Sequence, residues 1–220
     1  MYKDRFDKIR FVIASNGNSE NVAFTVDRLK SIVPDAEFSF YGNDKDLRES
    51  NYFYNEVATK LSDFPKDVLI FFAHNKGVAS WYVDKDSLIY WINFMYWANL
   101  YDISFLSNFY DNQELCTAGT YFTDDYKYWS FMKYGWHYSG TYFWFSPNRV
   151  LNHIEKFNEN IPGNSRYFTE GFFGSVIRND DRYRIALFGN RSSKVDYRQF
   201  VQQFVPRQQR KIFTKIYGLQ

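Results

Sequence analysis

The stretch that most constrains this chain is Val68-Leu-Ile-Phe-Phe-Ala73, followed by His74-Asn-Lys-Gly77. The apolar run is short, rich in β-branched and aromatic residues, and closed by a turn of Asn, Lys and Gly. It reads as a strand buried on both faces. Strands of that kind belong to parallel sheets covered by helices. Ligands of open α/β sheets sit outside the carboxyl ends of the strands, and there this run delivers His74, Asn75, Lys76 and Gly77. Taken alone, the turn also fits a plain polar connection, since Asn and Gly are common in turns.

Other segments support a layered α/β fold. Ile9 to Ala14 is apolar and runs into Ser15-Asn-Gly-Asn-Ser19. Val22, Val26, Leu29 and Ile32 then have helical spacing, with Ser19 as N-cap and Pro34 as stop. Ala36 to Tyr41 reads as a second strand, ended by Gly42-Asn-Asp44. The result is a β-α-β unit with parallel strands. Its loops, with Ser15, Asn16, Asn43 and Asp44, suit contacts to a base and a ribose. Neither G-x-G-x-x-G nor a P-loop Lys is present, so a dinucleotide or Walker site is not indicated.

Lys45 to Leu61 reads as a weaker helix, and Leu88 to Leu100 as a helix apolar nearly all round, hence buried. Asp84-Lys-Asp86 precedes it and reads as a cap rather than a metal motif. Glu114 to Phe122 reads as a strand. Trp136-His-Tyr-Ser-Gly-Thr-Tyr-Phe-Trp-Phe145 becomes strand-like from Thr141 on. Ser146-Pro147 opens a helix, Tyr167 to Ile177 opens another, and Arg184 to Phe188 is a late strand. From Val195 the chain alternates apolar and basic residues around Pro206. That pattern fits a docked terminal helix, or a weak membrane-surface contact.

Composition narrows the function classes. The 27 basic and 25 acidic residues leave a net charge of +2, too near balance for a nucleic-acid protein. One cysteine, Cys116, excludes an intrachain disulfide, and three histidines make a Cys/His zinc site a poor fit. The amino terminus has no apolar signal segment, so a cytoplasmic protein is expected. Phe, Tyr and Trp make up 22% of the chain. Most of these rings must fill the core, but surplus Tyr and Trp also suit amphipathic ligands such as sugars.

The ordered set His74-Asn-Lys-Gly77, His137-Tyr-Ser-Gly-Thr-Tyr-Phe-Trp-Phe145 and Arg166-Tyr-Phe-Thr-Glu-Gly-Phe-Phe-Gly174 resembles small bacterial and viral glycosyltransferase-like proteins of the GT-A type. These carry H-S-K-G and H-F/Y-S-G-N/T-F/Y-W stretches in this order. The resemblance covers about residues 68 to 178. It implies a Rossmann-like fold with a mixed, mostly parallel central sheet and helices on both faces. With 220 residues, one domain is expected: the first β-α-β unit fits a nucleotide-binding half (1–66) of such a fold, the resemblance implies a donor and acceptor half (67–194), and the apolar and basic pattern adds a helical tail (195–220). The resemblance implies transfer of a sugar from a UDP- or GDP-sugar to a glycan or glycoprotein hydroxyl. A strand-borne D-x-D is missing, which leaves the usual divalent ion (Mn²⁺ or Mg²⁺) open. The alternative is a carbohydrate- or partner-binding domain without catalysis.

On that reading the growing charge of the leaving diphosphate must meet positive groups. His74, Lys76 and His137 are the candidates, with Gly77 admitting the phosphates to the backbone. His137 fits a buried core histidine equally well. Glu170 is the candidate base, since an apolar setting favours the protonated form of a carboxyl group; its other role is a helix first-turn acid. Tyr142 and Trp144 share one face of a strand and Phe143 and Phe145 the other. One pair should be core, and Tyr142 and Trp144 are the candidates for the sugar floor.

Overall fold

A computed structural model describes residues 6–15, 17–42, 49–74, 85–124, 134–138, 140–154, 167–187 and 190–191, with 85–91 and 190–191 described by backbone alone. The β-α-β unit is present as β1 (Arg10–Ser15), α1 (Ser19–Lys30) and β2 (Glu37–Gly42). The strands are parallel and in register from Arg10 opposite Glu37 to Ser15 opposite Gly42. The cap of α1 is Asn18 rather than Ser19: its side-chain oxygen accepts from the Asn21 amide at 3.1 Å. That satisfies one of the amides the first helical turn leaves without a partner. No residue of α1 is buried, and Phe24 and Phe40 stand exposed on this unit.

The chain continues through α2 (Glu49–Glu56), a 3₁₀ segment (Ala58–Asp63), β3 (Ile70–Phe72), α3 (Lys85–Leu100) and α4 (Ser107–Asp111). Then come β4 (Thr117–Gly119), β5 (Phe122–Thr123), β6 (His137–Tyr138) and β7 (Phe143–Phe145). Last are α5 (Pro147–His153), α6 (Phe168–Val176), β8 (Arg184–Ala186) and β9 (Asn190–Arg191).

The expected mostly parallel central sheet is not what forms. The strands of the described residues divide into three short sheets, ordered β1-β2, β3-β7-β4-β8 and β6-β5-β9. In the largest, β7 runs antiparallel to both β3 and β4, and only β4–β8 is parallel. In the smallest, β5 is antiparallel to β6 and parallel to β9. Ile70 to Phe72 are half-buried at the end of the strand order, with Phe72 packed on Phe53 on one face and Phe71 on Trp144 on the other. An apolar run reports burial, not the direction of its neighbour, so the run at 68–73 left the pairing undetermined.

The four-stranded sheet has a core on each face, divided by the alternation of β7. Phe143 and Phe145 face Phe53 of α2 and Phe173 of α6. Phe53 is fully buried and also touches Phe72, Phe168 and Phe172. On the other face Trp144 packs with Phe6, Phe71 and Phe105, in the cluster that holds Leu100 of α3 and Phe109 of α4. Such aromatic contacts add about 0.5–1.5 kcal/mol per pair beyond area burial.

Helix α6 lies against the segment before β6 with no room between them. A Cβ on Gly174 would sit 1.8 Å from the Trp136 carbonyl oxygen. The Tyr134 amide donates to the Gly174 carbonyl at 2.7 Å, and the Trp136 indole donates to the Ile177 carbonyl at 2.8 Å. Among the described residues no helix is long and apolar enough to cross a membrane. The tail beyond residue 191 lies outside the described residues.

Candidate functional site

One end of the four-stranded sheet gathers the distinctive residues. Phe72, the last of β3, and Gly119, the last of β4, both lie opposite Phe143, the first of β7. The chain therefore leaves β3 into Ala73-His74 and β4 into Thr120-Tyr121 where it enters β7 through Gly140-Thr141-Tyr142. Three separated sequence motifs meet here through hydrogen bonds. The Tyr142 hydroxyl donates to the His74 carbonyl at 2.8 Å. The Gly140 amide donates to Glu170 Oε1, in the first turn of α6, at 2.6 Å.

His74 is half-buried, and its Nδ1 lies 3.5 Å from Glu49 Oε1 at the start of α2, an ion pair whenever the imidazole is protonated. Tyr142 is fully buried and meets the Tyr96 ring edge-on at 5.1 Å. Burial pushes both the Tyr142 and Tyr96 phenols above their ordinary range, so both stay protonated. Next in sequence to Glu49 and Glu170, the Ser50 and Thr169 hydroxyls lie 3.1 Å apart and join α2 to α6.

The backbone here is strained. Thr141 and Tyr121 both have φ of +61°, a region that costs a residue with a side chain about 1–2 kcal/mol. Thr141 is fully buried, and its hydroxyl has no hydrogen-bond partner among the described residues. Such an omission costs about 1–3 kcal/mol. Strain of this kind persists where the surroundings enforce it, and it clusters at functional sites.

His137 lies in β6, 7% exposed and paired with Thr123. Both aromatic pairs, Tyr142 with Trp144 and Phe143 with Phe145, are buried in the core. Trp144 is 4% exposed, its indole donating to the Asn99 carbonyl at 3.1 Å, so it is not an open sugar floor. Ser15 ends β1, and its hydroxyl accepts from the Gly17 amide at 3.1 Å. It lines two open depressions of about 520 and 260 Å³, neither of which includes His74, Tyr142 or Glu170. Asn16, Asn43, Asp44, Lys76 and Gly77 lie outside the described residues.

Among the described residues no three His, Cys, Asp or Glu side chains gather around a metal position. His74 and Glu49 are a pair of groups able to ligate a cation, with their nearest atoms 3.5 Å apart. Sequence reasoning missed Glu49, which sits in a weakly patterned helix, and Thr141. Thr141 falls at the N/T position of the H-F/Y-S-G-N/T stretch and at the start of the strand-like run, but neither marks it as a strained, left-handed residue. Comparison of the chain with family models, with curated proteins and with solved structures finds no match.

Proposed function

We propose that this chain is a glycosyltransferase that moves a sugar from a UDP- or GDP-sugar to a hydroxyl of a glycan or glycoprotein. The observation that carries the reading is the meeting of three separated motifs at one end of one sheet. His74 after β3, Gly140-Thr141-Tyr142 before β7 and Glu170 on α6 are tied by the Tyr142–His74 and Gly140–Glu170 bonds. The departing nucleoside diphosphate gains negative charge, and a cation fixed beforehand lowers that barrier. His74 beside Glu49 is the described group suited to it, with Lys76 two residues on and His137 in the segment that leads to Gly140. Tyr142, a buried hydroxyl that stays a donor, fixes the backbone of His74 rather than carrying the sugar on its ring.

The test is a thermal-shift panel of UDP- and GDP-sugars, with and without manganese. At a ligand concentration 100 times Kd, binding stabilises by about 2.7 kcal/mol. For a chain of this size that is a rise of roughly 5–11 °C. His74→Ala should abolish most of it. No shift with any nucleotide sugar overturns the reading. A second reading, sugar-nucleotide binding without transfer, has one observation in its favour: Glu170 Oε1 is already engaged by a backbone amide. Donor binding with neither transfer nor hydrolysis would select it.

A further inference from the structure

The turn before β7 does not hold its shape by local preference. Gly140 has φ of +91° and Thr141 of +61°. Glycine adopts this region freely, but a β-branched residue avoids it. Thr141 does not repay the strain with its own side chain, because its buried hydroxyl has no partner among the described residues. What fixes the turn comes from outside it. Glu170 accepts from the Gly140 amide on one side, and Tyr142 is anchored to the His74 carbonyl on the other. A carboxylate accepting from an amide makes a charge-assisted bond, roughly twice as strong as a neutral one. Glu170 is itself held in place, because α6 is docked through Thr169 on Ser50 and through Gly174 on Trp136.

We infer that Glu170 is a positioning residue: its carboxylate latches the Gly140–Thr141 turn and so sets where Tyr142 and the His74 backbone stand. This replaces the general-base role that the sequence suggests for it. A carboxylate serving only the dipole of α6 would have no use for the Gly140 amide. The latch stands on the geometry alone; its effect on donor binding and turnover rests on the transferase reading above.

Three variants separate the roles: Glu170→Gln, Glu170→Ala and Glu170→Ala combined with Thr141→Gly. Glutamine keeps an acceptor oxygen, alanine removes it, and glycine at 141 takes the left-handed conformation without help. The first readout is hydrogen exchange of the Gly140 amide by NMR. Glu170→Ala should speed it tenfold or more, a loss of about 1.4 kcal/mol of protection, while Glu170→Gln stays close to the parent protein. The second readout is donor affinity and turnover. Both should fall in Glu170→Ala, be kept largely by Glu170→Gln, and recover partly in the double variant. Unchanged Gly140 exchange in Glu170→Ala overturns the latch, whether or not the protein binds nucleotide sugars. Turnover lost equally in Glu170→Gln and Glu170→Ala, with Gly140 still protected in the former, overturns it in favour of the base. If the parent protein ignores every nucleotide sugar, the transferase reading fails while the exchange experiment still decides the latch. If Glu170→Ala does not fold, the Gln variant and the double variant carry the comparison.

Discussion

Gly174→Ala sets two effects of known size against each other. Exchanging Gly for Ala inside a helix gains about 1 kcal/mol from propensity. Against that gain, the new Cβ would lie 1.8 Å from the Trp136 carbonyl oxygen, 2.8 Å from its carbon and 3.0 Å from its nitrogen. Optimal carbon contacts lie near 3.5 Å, so α6 or the backbone at Trp136 must move by roughly 1.5 Å. The atoms in the way are backbone, and they cannot swing aside as a side-chain tip would. Trp136 is fully buried and held to Ile177, which blocks easy retreat. Overpacking costs about 1–3 kcal/mol and more where backbone must shift, and here it takes the upper end. The net expectation is a loss of about 2 kcal/mol or more, roughly 4–8 °C in Tm. Urea unfolding would measure it directly. Gly42→Ala is the control, because its Cβ meets nothing within 4 Å; it should stay within about 0.5 kcal/mol of the parent. A Gly174→Ala protein that melts at or above the parent would refute the close docking of α6, and with it the placement of Glu170 under Gly140.

Two further expectations are simpler. Cys116 is fully buried, and burial pushes its thiol up to about 12; it should not react with a thiol reagent at pH 8 until denaturant is added, and prompt labelling of folded protein would contradict this core. Asp180 is held at about 2 by hydrogen bonds from Arg182, below the unfolded value of about 3.9; whatever stability this exposed pair adds is present above about pH 4 and lost as pH falls towards 2, and an NMR titration of Asp180 centred near 4 would remove it.

Much of this fold was legible because local period reports local structure. Val22, Val26 and Leu29 mark α1, the nearly all-apolar run from Leu88 marks α3, and Pro147 opens α5. What was not legible is what depends on partners distant in sequence. Ile70 to Phe72 read as a strand but not as one antiparallel to residues 143–145. Residues 114–122 read as one strand, but the left-handed Tyr121 breaks the run into β4 and β5. Lys45 to Leu61 read as one helix, whereas the described part is α2 followed by a 3₁₀ segment. At the site, His74 and Glu170 were named from their unusual neighbours. Glu49 carries no such mark, since an acid early in a helix is ordinary, and Thr141, though inside a motif stretch, reads as the start of a strand rather than as a left-handed turn residue. Trp144 shows the reverse error: an aromatic beside a polar patch looks like a ligand platform, but here its ring completes a core against Phe6 and Phe71.

The most direct measurement is an amide chemical-shift map recorded while a UDP- or GDP-sugar is titrated into isotope-labelled protein. The largest changes should fall on His74, Gly140, Thr141, Tyr142 and Glu170, where β3 and β4 finish and β7 begins. Changes confined to the depression around Ser15, or none with any nucleotide sugar, would contradict the account.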